Sequence, residues 1–247
     1  MNILTVGDSW TEGTESSNPK EMSWPAQLAK KYNVCVTNLG YGGSSNKRNM
    51  RIAVEEISKN PVYDMVILGL CPASRTEVLK KGKWFQVWPT EYHGEETIDR
   101  LFAENWHPWG DLQNTIMECF YFFNTMKNLG VDLYVTGLGL FPDQFSEELS
   151  WIVNYKNDND FNSLGMPLDE LNIGIKDLDR KLVVLKKIHE KNLQMQPDYL
   201  YDVPNRYLKD CNTKAKYGQS LFASGGHPND QGYLALADYF ASKIKLY

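Results

Sequence analysis

Long apolar runs are missing from this chain. No stretch of its 247 residues approaches the roughly 18 continuous apolar residues of a membrane-spanning helix. The chain starts directly on an apolar strand pattern, with no basic and then apolar leader, so no signal peptide is expected and a cytoplasmic setting is. Cysteine is scarce. Cys35, Cys71, Cys119 and Cys211 lie far apart, form no Cys-x-x-Cys pair and join no histidine at zinc spacing. Disulfide frameworks and structural zinc are therefore not expected, and the thiols read as reduced. An excess of basic charge is also lacking: 26 Lys and Arg against 31 Asp and Glu leave a net charge of −5. That disfavours nucleic acid as the main partner, because phosphate binding needs a basic face. Finally, there is no P-loop lysine pattern, and the glycines from Gly40 to Gly43 lack Gly-x-Gly-x-x-Gly spacing, which disfavours a nucleotide-binding module.

What is present is an ordinary globular balance, 42% hydrophobic and 23% charged, enough for one large core in a single domain over 1–247. Short β-branched segments predict strands at Asn2 to Val6, Val34 to Asn38, Asp64 to Leu70, Val131 to Gly137 and, more weakly, Asp198 to Val203. Helical patterns fall at Trp24 to Lys31, Lys47 to Lys59, Leu112 to Leu129, Ile175 to Asn192 and Asp230 to Ile244. In the last of these Leu234, Ala237, Phe240 and Ala241 share one face. This alternation predicts a three-layer α/β/α fold with a doubly wound parallel sheet, flavodoxin-like in its winding. Two stretches read as insertions between core elements. One is 82–110, with Trp84, Trp88, Trp106 and Trp109. The other is 142–174, which is polar and turn-rich. Asp158 and Asp160 in the second read as a solvated loop rather than a calcium site.

Two short runs at opposite ends carry the chemistry. Gly7-Asp8-Ser9-Trp10 follows the first strand, where a doubly wound sheet places its ligands. A helix starting after Ser9 would turn its free N–H groups toward the serine oxygen, so Ser9 is a candidate nucleophile. His227-Pro228-Asn229-Asp230 precedes the last helix, and the adaptable loop at Gly225 and Gly226 could hold the imidazole of His227 over Ser9 as a general base. The plainer reading makes Asp8, Ser9, Asn229 and Asp230 turn and capping residues. Of the other histidines, His189 reads as a solvated helix residue, and His93 and His107 lie in the first insertion.

With both runs in view the chain resembles the SGNH/GDSL hydrolase family along nearly its whole length. The family's first block matches Gly7-Asp8-Ser9, which implies Ser9 as nucleophile, with Asp8 a possible accessory. Its second block matches Asn38-Leu39-Gly40-Tyr41-Gly42-Gly43-Ser44-Ser45-Asn46 and implies Gly43 as an oxyanion-hole residue beside Ser9. Its last block, Asp-x-x-His-Pro, matches in part at Ser224-Gly225-Gly226-His227-Pro228 and implies His227 as base. Two departures stand out. The third block's asparagine is absent from Gly69-Leu70-Cys71-Pro72-Ala73-Ser74-Arg75, which leaves Asn46, Ser74 or Arg75 as substitute oxyanion donors. Ser224 stands where the family carries its triad aspartate, and Asp230, the nearest acid after His227, more naturally caps the helix. The Arg75-Thr76-Glu77 run resembles divergent phage-encoded members.

The resemblance implies a serine hydrolase of carboxylic esters, such as an acetyl ester on a carbohydrate, acting through an acyl-enzyme on Ser9. It implies no cofactor and no metal, a small-molecule or glycan ester as partner, and neither nucleic acid nor membrane. Losing the triad acid costs about 10⁴-fold in kcat, and losing one oxyanion donor costs about 10²- to 10³-fold. A slow Ser–His dyad is therefore expected. The alternative is a catalytically impaired carbohydrate-binding or phage-particle-associated structural module, virion-associated if phage-encoded.

Overall fold

Successive residues of a strand point to opposite faces, and both faces of this sheet are apolar. The computed structural model describes residues 1–72, 75–87, 108–137, 203–218 and 220–246. Its central sheet contains β1 (Asn2–Val6), β2 (Cys35–Asn38), β3 (Met65–Leu70) and β6 (Asp132–Gly137) in the order β2-β1-β3-β6. Every pairing is parallel, with Ile3 opposite Val36 and Met65, and Leu68 opposite Val135. Ile3, Met65 and Ile67 face one layer, where they meet Trp24, Leu236 and Phe240. Leu4, Val6, Val66 and Leu68 face the other, with Met50, Ala53 and Met126.

The two faces are covered by helices as the sequence pattern requires. On the first lie α3 (Trp24–Tyr32), α6 (Val203–Lys209) and α8 (Asp230–Lys243). On the second lie α4 (Asn46–Lys59) and α5 (Pro108–Leu129). Trp24 and Phe240 have ring centroids 4.2 Å apart and no exposed surface. Burying such a side chain stabilises the fold by about 1.5–3 kcal/mol. The apolar face of α8 is wider than its sequence suggests: Tyr233, Ala235 and Leu236 are buried beside Ala237, Phe240 and Ala241, while Leu234 is only partly covered. A short α7 (Cys211–Tyr217) starts on Asp210, whose carboxylate accepts from the N–H groups of Asn212 and Thr213.

Two expectations are corrected. The first insertion does not start at residue 82. A hairpin of β4 (Thr76–Lys80) and β5 (Lys83–Val87) comes first, and residue 82 is the second residue of its tip. Lys81 and Gly82 both have positive φ, 50° and 76°, the two-residue turn that matches strand twist. The weaker strand expected at Asp198 to Val203 does not extend to Val203, which starts α6. Residues 198–202, the helix expected at Ile175 to Asn192, the insertion at 142–174, His93, His107, His189, Trp88 and Trp106 lie outside the described residues.

Two short helices, α1 (Ser9–Glu12) and α2 (Pro19–Met22), follow β1. They occupy the carboxyl end of the strand that has β2 on one side and β3 on the other. The winding reverses at that point, which opens a crevice above the sheet.

Candidate active site

Asp8 caps α1: its carboxylate accepts from Trp10 N at 3.2 Å, and the helix starts at Ser9. The segment after it is held close to the second block. Tyr41 N donates to Gly7 O at 3.0 Å, and Asn38 Nδ2 donates to Thr11 O at 2.8 Å. The approach at Gly40 is so close that a Cβ there would stand 2.5 Å from Glu12 N and 2.7 Å from Thr11 C. Only glycine fits such a backbone-to-backbone contact.

From the far end of the chain, the loop before α8 is folded on itself. Phe222 and Pro228 form an isolated antiparallel bridge, Ala223 N donates to His227 O at 2.8 Å, and Asn229 N donates to Leu221 O at 3.0 Å. This places the imidazole over the nucleophile candidate, with His227 Nε2 2.8 Å from Ser9 Oγ. The two residues are 218 positions apart, and the sequence expectation that they meet corresponds to this contact.

Behind the ring stands a residue that the sequence reading missed. Glu15 Oε2 is 2.9 Å from His227 Nδ1 and also accepts from His227 N at 3.1 Å. Glu15 Oε1 accepts from Gly225 N at 2.8 Å. These donors hold the Glu15 carboxyl below its ordinary pKa, the His227 backbone N–H first, while desolvation works in the opposite direction. Glu15 has φ 65°, in the left-handed region that a non-glycine residue adopts at a cost and that often marks a functional site. Buried Tyr233 supports the segment from below by donating to Thr14 O at 2.7 Å.

The expected Ser–His dyad therefore has a carboxylate behind its ring. This carboxylate arrives from the segment that carries Ser9, six residues after it, and not from the stretch before the histidine. Ser224 stays exposed in the turn while Glu15 occupies the ring nitrogen. Asp230 neither pairs with His227 nor caps α8. Asn229 is the cap, accepting from Gly232 N, and Asp230 accepts instead from Ser17 N at 2.8 Å and Ser17 Oγ at 2.6 Å.

Asn46 is also corrected as an oxyanion donor. Its Nδ2 donates to Cys71 O at 2.9 Å and its Oδ1 accepts from Cys71 N at 2.7 Å. The amide lies buried at the end of β3 and pins that strand end to α4. Arg75 is engaged elsewhere as well: its Nη1 lies 3.0 Å from Asp8 Oδ2. Burial raises the Asp8 carboxyl above its ordinary pKa, and the Arg75 guanidinium is the chief opposing influence. Ser74 lies outside the described residues.

Gly43 has φ 71° and sits in the loop leading into α4. Its neighbour is clamped, since Gly42 N donates to Glu12 Oε2 at 2.9 Å. Neither Ser9 N nor Gly43 N has an acceptor among the described residues. A serine oxygen, an imidazole held by a carboxylate, and unsatisfied N–H groups are the parts needed for acyl transfer.

Comparison with solved structures finds the same architecture. A lipolytic protein of the G-D-S-L family from Desulfitobacterium hafniense superposes with a TM-score of 0.51 at 15% identity, covering 98% of each chain. The psychrotrophic esterase EstA from Pseudoalteromonas superposes with a TM-score of 0.50 at 12% identity, covering 99% of this chain and 98% of its own. At these identities the likeness establishes the fold alone, a parallel α/β sheet layered with helices. No protein-family model matches the sequence, and a search of curated proteins finds no similar one.

Proposed function

We propose that this chain is a serine hydrolase of carboxylic esters, of SGNH/GDSL type, acting through an acyl-enzyme on Ser9. The observation that carries this reading is the continuous line from Ser9 Oγ through the His227 ring to Glu15, with contacts of 2.8 and 2.9 Å. Ser9 Oγ attacks the ester carbonyl and its proton passes to His227 Nε2. The N–H groups of Ser9 and Gly43 receive the negative charge that develops on the carbonyl oxygen. Collapse of the tetrahedral species releases the alcohol, which takes the proton from Nε2. Water then attacks the acyl-Ser9 ester, again giving a proton to Nε2, and the carboxylic acid leaves as Ser9 recovers its proton. Glu15 holds Nδ1–H, which fixes the tautomer with Nε2 free and stabilises the imidazolium. Asp8, Arg75 and Asn46 act as positioning residues.

The proposed substrate is a short acyl ester, with an acetyl group on a carbohydrate the favoured case. The binding-module alternative drew its force from a missing triad aspartate and a missing oxyanion asparagine, and Glu15 supplies a carboxylate in the first of these places. Labelling with a fluorophosphonate probe tests the reading. Ser9 should be modified in wild type and protected in His227→Ala. Hydrolysis of p-nitrophenyl acetate should fall to background in Ser9→Ala. Unlabelled Ser9, together with equal rates for the two proteins across a panel of esters, would overturn it.

A further inference from the structure

The first turn of α4 carries the wrong charge for a helix start. It contains Lys47 and Arg48, with Arg51 one turn on, and no acid. The amide dipoles already make this end electropositive, so cations there are unfavourable unless something else is gained. Two of the three are neutralised. Lys47 lies 3.7 Å from Glu118, and Arg51 makes a two-pronged pair with Glu77, with both bonds at 2.8 Å. Arg48 has no carboxylate partner among the described residues. Its Nη1 donates to Ser44 Oγ at 3.2 Å, and the guanidinium lies 4.7 Å over the Tyr41 ring.

Arg48 faces a surface cavity of about 440 Å³ bounded also by Tyr41, Gly42, Arg51, Trp84 and Gln86. Among the described residues, two guanidinium groups and no carboxylate line it. Two of its three aromatic walls are open to solvent, with Tyr41 51% and Trp84 46% exposed, and Phe85 is the third. The Arg51 guanidinium covers one side of the Trp84 ring at 4.5 Å. Two of its lining residues are tied to the segment that carries Ser9, since Tyr41 N donates to Gly7 O and Gly42 N to Glu12 Oε2.

We propose that this cavity is the subsite for an acidic sugar carrying the ester, with the sugar's carboxylate on Arg48 and its ring against Tyr41 and Trp84. The inference rests on the reading of Ser9 as nucleophile. A planar guanidinium presents a fork of donors that matches a carboxylate. Half-exposed aromatic faces offer flat apolar surface to the C–H face of a pyranose. With Arg51 already paired with Glu77, the one guanidinium that has no carboxylate partner among the described residues suits a single negative charge. The uncompensated helix start adds a field of the same sign around it.

Competition between an acetylated oligosaccharide bearing a uronic acid and its acetylated neutral counterpart tests this. Wild type should prefer the acidic substrate in kcat/KM, and the preference should shrink as salt is raised. Arg48→Gln should lower the acidic-to-neutral ratio about tenfold, the size of one charge-assisted hydrogen bond, through KM rather than kcat, and Arg48→Lys should restore part of it. An unchanged ratio, whether both substrates fall together or neither does, would overturn the proposal, since a role in holding the Gly43 loop affects both equally. If no ester is cleaved and Ser9 resists the fluorophosphonate, the nucleophile reading fails on its own. Calorimetry with Ser9→Ala and the deacetylated oligosaccharides then decides the subsite: acidic over neutral binding that Arg48→Gln abolishes supports it, and equal or absent binding refutes it.

Discussion

Replacing Glu15 with glutamine separates the charge behind the histidine from its shape. The glutamine oxygen can still accept from Gly225 N or His227 N, but its NH₂ group must then face a position where the carboxylate now accepts. Turned toward Nδ1, that NH₂ forces the ring to carry its proton on Nε2, facing Ser9 Oγ, and the base is lost. The same change in a buried triad costs about 10⁴-fold in kcat. The Glu15 side chain is 26% exposed, so water screens part of its charge and the expected loss is about 10²- to 10³-fold in kcat/KM. Initial rates on p-nitrophenyl acetate measure it, with Glu15→Asp expected between glutamine and wild type because it keeps the charge but shortens the reach. A thermal melt must accompany the assay, since Glu15 also ties two backbone N–H groups. The sign of the pH dependence follows from the lowered pKa. A carboxylate held below its ordinary 4.5 contributes stability that is present above the unfolded-state value and lost as pH falls through the folded-state value. The melting-temperature gap between wild type and Glu15→Gln should therefore narrow on acidification below about 4.5. A folded Glu15→Gln protein with kcat/KM within about threefold of wild type would refute the reasoning.

Arg75→Gln should destabilise the fold by about 2–3 kcal/mol, because it leaves the nearly buried Asp8 carboxylate without its cation, and the double variant with Asp8→Asn should recover most of that in urea unfolding. Since burial already raises the Asp8 pKa, its charged form is the disfavoured one, so Arg75→Gln should lose more stability as pH rises above the ordinary carboxylate range than at acid pH. Asn46→Ala should lower both stability, by about 2–5 kcal/mol, and activity, because Cys71 N and O are left unsatisfied in the interior; loss of activity with an unchanged melt would return Asn46 to the oxyanion hole. Gly40→Ala should cost at least about 1–3 kcal/mol in the same assay through its collision with the backbone of Thr11 and Glu12.

Much of the fold was legible because it depends on local patterns. The β-branched runs at Ile3 to Val6 and Val66 to Leu68 are strands buried on two faces, and their edges are met to within a residue. The hairpin at Thr76 to Val87 was not legible. Its Lys81-Gly82 turn is a weak signal, and two polar residues break the apolar alternation, Glu77 because it pairs with Arg51 and Gln86 because it accepts from Ser45 N. Ser9 and His227 were legible because each follows a recognisable strand or loop signature. Glu15 was not, since a search confined to residues beside the histidine cannot reach an acid 212 positions away, and no spacing rule links the two.

The segment that carries Ser9 also does more than present a serine. Asp8 holds Arg75 from the loop after β3, Glu12 holds Gly42 from the loop after β2, Glu15 holds Gly225 and His227, and Ser17 is held by Asp230 at the start of α8. Each carboxylate of residues 8–15 thus anchors a different wall of the crevice, and Ser9 lies among the walls it must serve. With Glu15 on this segment, the His227 loop is tied directly to the segment that carries Ser9, so any motion that carries the loop away breaks the Ser9 and Glu15 contacts of His227 together. An aspartate beside the histidine would travel with its own loop and leave that coupling out. The absence of the usual aspartate is therefore compatible with a well-oriented base, because orientation depends on where the carboxylate lies in space rather than on where it lies in the chain.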